Sequence, residues 1–173
     1  MGRGFWVVDD ISPLHQWEQI VEKTTYGLFK PMDSYRYRAR GSQRGTVPEY
    51  PSPGIIIDYV LNQEPAGEIT IDILNSAGKT VRTYSSDGSE SDEQSATAMA
   101  TGFTMRSGTT PLKKTPGTHR FRWDMRHSGA WHNNPKRTFR NGPMTAPGDY
   151  TVRMMVDRKE YKQTFQLMID PRI

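Results

Sequence analysis

Four side chains between positions 119 and 132 have the chemistry of metal ligands: His119, Asp124, His127 and His132. Zinc sites of the common enzyme type place two histidines one helical turn apart, so that both face the ion from one surface. The stretch HSGAWH has neither that spacing nor a helical pattern, so the residues predict no metal site. Paired carboxylates are the next candidates, since a glycosidase needs two of them about 5–10 Å apart across a cleft. Asp9 and Asp10 are adjacent and would point to opposite faces of a strand. Asp87, Glu90, Asp92 and Glu93 lie in a segment too poor in apolar residues to hold them in a fixed geometry. The reading is that this chain carries no catalytic residues, no metal site and no cofactor site.

One cluster has binding chemistry instead. Sugar rings stack on exposed aromatic faces flanked by hydrogen-bonding side chains, and Trp131 with His132, Asn133, Asn134 and Arg137 supplies those types in one run. The competing reading is that Trp131 tucks against the body of the domain as a loop anchor. Trp17 and Tyr50 are further candidates for exposure. Tyr35 and Tyr37, alternating with Arg36 and Arg38, read as an amphipathic edge strand rather than a platform for stacking bases.

The elements that would position these residues are strands. Three Pro-Gly pairs, at 53–54, 116–117 and 147–148, each stand before an alternating run. Proline presets the first corner of a tight turn and glycine accepts the positive φ of the second, so each pair predicts a turn feeding a strand. In residues 119–126, Phe121, Trp123 and Met125 share one face and Arg120, Arg122, Asp124 and Arg126 the other, which makes Trp123 a core candidate. Ile69, Ile71 and Ile73 align, and Asn75-Ser76-Ala77-Gly78 then supplies turn chemistry before KTVRTYS, predicting a hairpin. A second hairpin pairs Tyr150, Val152, Met154 and Val156 with Tyr161, Phe165, Leu167 and Ile169 around Asp157-Arg158. Residues 55–61 are apolar on both sides, as in a strand covered on both faces. Only Ser12 to Lys23 reads as helical, with Leu14, Trp17, Ile20 and Val21 at spacings of three and four behind Ser12-Pro13.

The chain of 173 residues accommodates one domain with an extension, and its mean hydropathy of −0.76 leaves part of it for exposed loops. Residues 85–111, rich in Ser, Thr, Gly and acidic side chains, read as a long mobile loop. A second irregular excursion spans 128–146. The net charge of +4 comes from 23 basic and 19 acidic residues without a basic stripe, a pattern that points away from nucleic acid. The lack of cysteine removes disulfides, thiolate metal sites and a cysteine nucleophile. No run approaches the length of a membrane span, and no signal sequence is legible at the start.

Four segments, GRGFWVVDDISPL, LFKPMDSYRYR, TPGTHRFRWDMRHSGAW and APGDYTVRMMVDRKEYKQTFQLMIDPRI, together resemble the C-terminal part of bacterial BNR-repeat or sortilin-like glycosyl hydrolases. In that family a β-propeller is followed by an immunoglobulin-like sandwich similar to the flagellar hook-capping type. The resemblance covers nearly the whole chain except 85–111, and its motifs are structural rather than catalytic. It implies that GRGFWVVDD is similar to the last propeller strand, that the propeller lies upstream, and that the protein is secreted or periplasmic. The bland alternative is that Phe5 to Val8 form the first strand of this domain.

The resulting expectation is an all-β immunoglobulin-like antiparallel sandwich of six or seven strands over residues 51–173, with residues 1–50 as an extended arm bearing one short helix. Its expected role is a non-catalytic accessory domain that packs on or positions the β-propeller of the same parent protein. The alternative is a carbohydrate-binding module of a secreted or periplasmic hydrolase. An interface role calls for an apolar patch around Phe5, Trp6 and Trp17, and a sugar-binding role for an open aromatic shelf at Trp131.

Overall fold

The structure, a computed structural model, describes residues 10–36, 53–87, 111–129 and 141–172. Its fold is the all-β sandwich that the alternating patterns predict. Strands β1 (Tyr26–Leu28), β3 (Ile55–Leu61) and β6 (Gly117–Trp123) form a three-stranded antiparallel sheet in the order β1-β3-β6. We call it sheet A. Sheet B has the order β2-β10-β9-β4-β5, built from β2 (Ser34–Arg36), β4 (Ile69–Asn75), β5 (Thr80–Ser85), β9 (Gly148–Val156) and β10 (Lys159–Ile169). All its pairings are antiparallel except β2 with β10. A short hairpin of β7 (Arg126–Ser128) and β8 (Asn141–Met144) completes the described strands. Among the described residues, those from 53 onward contribute eight strands, where the sequence predicts about six or seven.

Both expected hairpins are present. The β4–β5 turn uses Gly78 at φ 74°, and Asp157 and Arg158 close β9–β10 with φ of 46° and 64°. Two consecutive left-handed residues match the primed turn whose twist suits a two-residue hairpin. The glycines of the three Pro-Gly pairs all have positive φ, at 159°, 128° and 150°. Such angles are nearly closed to other residues.

Between the sheets, Ile55, Ile57, Tyr59, Leu61 and Trp123 of sheet A meet Ile69, Ile71, Ile73, Val152, Met154, Phe165 and Leu167 of sheet B. Trp123 is fully buried, with ring centroids 5.5 Å from Tyr150 and 6.1 Å from Phe165. The Tyr150 hydroxyl donates to the Ala146 carbonyl four residues upstream at 2.5 Å, the tyrosine-corner device of immunoglobulin-type sandwiches. At one end of the core the Tyr26 hydroxyl of sheet A donates to Asp157 in the β9–β10 turn at 2.7 Å.

Some sequence expectations are revised. Strand β6 ends at Trp123, because Met125 takes a left-handed φ of 59° and reaches the core through a turn rather than along the strand. On β10, Ile169 shares the inward face of Phe165 and Leu167 but is 65% exposed, since it lies past the end of the core. Residues 26–36, assigned by sequence to the arm, supply one strand to each sheet. The single helix over 12–23 is instead two four-residue helices, α1 (Ser12–His15) and α2 (Trp17–Ile20), broken at Gln16. Ser12 does not cap; Ile11 occupies that position, and the Ser12 hydroxyl and amide both donate to Asp10. Among the described residues no helix is long and apolar enough to cross a membrane.

Candidate interaction surface

Strand β3 is buried on both sides, as its doubly apolar sequence demands, but its two faces have different covers. The inward face meets sheet B, whereas the outward face, with Asp58 and Val60, is roofed by residues 10–24. Val60 pairs with Gly27 across the β1–β3 ladder, and Ile20 of α2 reaches this point. A Cβ built on Gly27 would sit 2.1 Å from Ile20 Cγ2, so the isoleucine fills the volume that the glycine leaves open. Trp17 stacks on Phe29 at 6.3 Å between centroids.

Polar contacts hold the same segment at three places. At its start, Arg120 Nη2 lies 3.5 Å from the Asp10 carbonyl and 3.8 Å from its carboxylate. The same guanidinium makes a forked pair with Asp58 across the β3–β6 ladder, at 2.8 and 2.9 Å. A planar guanidinium matches a carboxylate in this two-bond geometry. The hydrogen bond to Asp58 also raises the pKa of Arg120 above its ordinary value. In the middle, the Gln16 side-chain amide accepts from Lys30 N–H at 2.7 Å and donates to the Lys30 carbonyl at 3.2 Å. At the end, the Asn62 amide donates to the carbonyls of Val21 and Thr24.

What this segment turns to solvent is apolar. Ile11, Leu14 and Trp17, spaced three apart, are 48%, 64% and 37% exposed, and Met32 just beyond the Gln16–Lys30 contact is 54% exposed. The apolar residues of the expected helix thus divide: Trp17 stacks on Phe29 and Ile20 reaches Gly27, while Leu14 is exposed. One of the expected interface residues, Trp17, is therefore on a partly open apolar surface. Phe5 and Trp6 lie outside the described residues, as do all five residues of the expected sugar shelf, Trp131, His132, Asn133, Asn134 and Arg137. Positions 88–110 of the expected loop and Tyr37 and Tyr50 also lie outside them.

Several charged residues inside the described regions have structural partners. On the outer face of sheet B a row crosses four strands in register, Lys162, Arg153, Asp72 and Thr83, with Arg153 Nη2 2.7 Å and Thr83 Oγ1 2.6 Å from the Asp72 carboxylate. Arg82 is buried against the Tyr84 ring, 3.6 Å from Asp124. Asp157 accepts from Tyr26 and from the Gly67 amide, and these bonds hold its carboxyl below the usual range. His119 rests against Tyr59 and donates to the Thr115 carbonyl at 2.6 Å, near the start of β6. Asp124 follows the other end of that strand, roughly 16 Å away at the ordinary rise per residue. The strand thus separates two of the four sequence-adjacent ligand types. Among the described residues no three His, Asp or Glu side chains gather in one place.

Sequence reasoning missed the Ile20–Gly27 contact and the exposure of Ile11, Leu14 and Met32. A usable signal existed for the first: glycine inside the run YGLF suggests a close approach of another element. No protein-family model matches the chain, and no curated protein matches it either.

Proposed function

We propose that this protein is a non-catalytic accessory domain that docks on and positions a β-propeller of the same parent protein, through the face bearing Ile11, Leu14, Trp17 and Met32. The reading as a secreted or periplasmic member of a BNR-repeat, sortilin-like assembly comes from the sequence resemblance. The observation that carries the docking role is the exposed apolar stripe on residues 11–17, the segment directly following the run that resembles the last propeller strand. A stripe that leaves a leucine 64% exposed on a segment otherwise tied to a rigid sheet has the composition of a surface meant to be covered.

The test pairs this chain with a separately produced propeller segment of the parent protein and measures association by titration calorimetry. Saturable association, weakened at least about tenfold by Leu14→Asp, is expected, since an apolar anchor at an interface centre contributes about 2 kcal/mol or more. Lack of association overturns the proposal. So does saturable glycan binding that Trp131→Ala abolishes, which would favour the carbohydrate-binding module.

A further inference from the structure

Phe29 and Val60 are 1% and 2% exposed, yet neither belongs to the cluster between the sheets. Phe29 lies under the Trp17 ring, and Val60 adjoins the Gly27 site that Ile20 reaches. We propose that residues 10–24 form a strap that lifts from sheet A and reseats on it as a unit while the sandwich stays folded, with Ile20 as the plug and Gly27 as its socket.

The seat is specific. Ile20 enters the only volume that an absent side chain at Gly27 provides, Trp17 lies over Phe29, and Asp10, Gln16 and Asn62 fix the start, middle and end. The hold is shallow. Pro13 alone is buried within the two helices, and each helix is a single four-residue turn, far below the length that sustains itself in water. The Gln16 and Asn62 contacts are exposed to solvent. Lifting the strap up to Thr24 breaks no strand pairing, since β1 begins at Tyr26 and the Thr25 carbonyl keeps its bond from Asn62 N–H. Few buried contacts and solvent-facing hydrogen bonds mark a unit whose opening is easier than global unfolding. When lifted, it uncovers an apolar strip of Gly27, Phe29 and Val60 beside Asp58, and it releases Asp10 from Arg120. The inference concerns the inner face of the strap and stands whether or not the outer face meets a propeller.

Trypsin cleavage after the exposed Lys23, followed by mass spectrometry under native conditions, reads strap opening directly. In the wild type this cleavage is expected to exceed by about 100-fold the rate that global unfolding allows. Gly27→Ala, whose methyl group collides with Ile20, raises it about tenfold further; Gly27→Ala combined with Ile20→Ala brings it back toward the wild-type rate. Should Gly27→Ala fail to fold, Asn62→Ala provides the same readout by freeing the Val21 and Thr24 carbonyls, raising cleavage without moving the urea midpoint. The proposal is overturned if wild-type cleavage at Lys23 tracks global unfolding, if neither Gly27→Ala nor Asn62→Ala accelerates it, or if the double variant is cleaved as fast as Gly27→Ala.

Discussion

Trp123 and Trp17 each meet an aromatic ring about 6 Å away, yet Trp123 is wholly buried and Trp17 is 37% exposed. The difference lies in what surrounds each ring. Trp123 ends a seven-residue strand in register with Ile55, is packed by Tyr150 and Phe165 from the opposite sheet, and donates its indole N–H to the Arg126 carbonyl at 2.9 Å. Trp17 belongs to a single helical turn with, among the described residues, one aromatic neighbour, Phe29. The space between the sheets is closed by many mutually supporting contacts, whereas the outer face of sheet A is closed by a few. Stability should therefore be concentrated between the sheets and adaptability on the strap.

The contrast is broken most directly at Trp123. Trp123→Ala should cost about 3–5 kcal/mol in urea-unfolding stability, from lost burial and the cavity left behind; a cost near zero would mean that the sandwich core does not hold the fold. Alkali tests the same region without mutation. Burial pushes the Tyr59 hydroxyl up to about 12 from an ordinary value of 10.0, and burial likewise raises Tyr84. A phenol whose folded pKa is raised contributes stability that is fully present below pH 10 and is lost as pH climbs toward the folded value. Unfolding stability should fall by about 2 kcal/mol between pH 10 and 12 from Tyr59 alone. A stability profile flat across that interval would count against a closed core.

Arg153→Ala should cost about 1–2 kcal/mol, because it leaves the Asp72 carboxylate, 8% exposed, with Thr83 as its remaining side-chain partner. Arg153→Lys, which keeps the charge but not the planar fork, should recover only part of that loss. At the bottom of the scale, Leu14→Ser should change the unfolding free energy by less than about 0.5 kcal/mol, as expected for a surface position. A loss of 2 kcal/mol or more there, by contrast, would place Leu14 in a buried contact and erase the distinction between core and strap.

Much of the sandwich was legible in the sequence because period-two alternation and turn residues act locally and agree with each other. Ile69, Ile71 and Ile73 could face only one way once Asn75 to Gly78 had turned the chain, and Asp157-Arg158 fixed the register of the last hairpin. The outer face of sheet A was only half legible. The second apolar side of Ile56 and Val60 announced a cover, but nothing local said that residues 10–24 would provide it. Leu14, Trp17 and Ile20 span too few turns to define a single buried face, so their spacing could not separate inward from outward. The sequence placed Tyr26 and Ser34 in an arm for a similar reason: three-residue strands are too short to show alternation, and their pairing depends on partners tens of residues away.

That long-range pairing has a consequence for how the chain is made. Strand β2, near the start, runs parallel to β10, and β4 takes β9 as one of its two neighbours, so sheet B is assembled from early and late pieces of the polypeptide. A nascent chain grows at about 5–20 residues per second, and loop closure over such separations is slow compared with forming a local hairpin. Until residues 148–169 have emerged, β2 has no strand to pair with and β4 holds only the β5 hairpin. The apolar rows of Ile55 to Leu61 and Ile69 to Leu74 must wait uncovered until those residues emerge, which makes the closing hairpin β9–β10 the step that commits this fold.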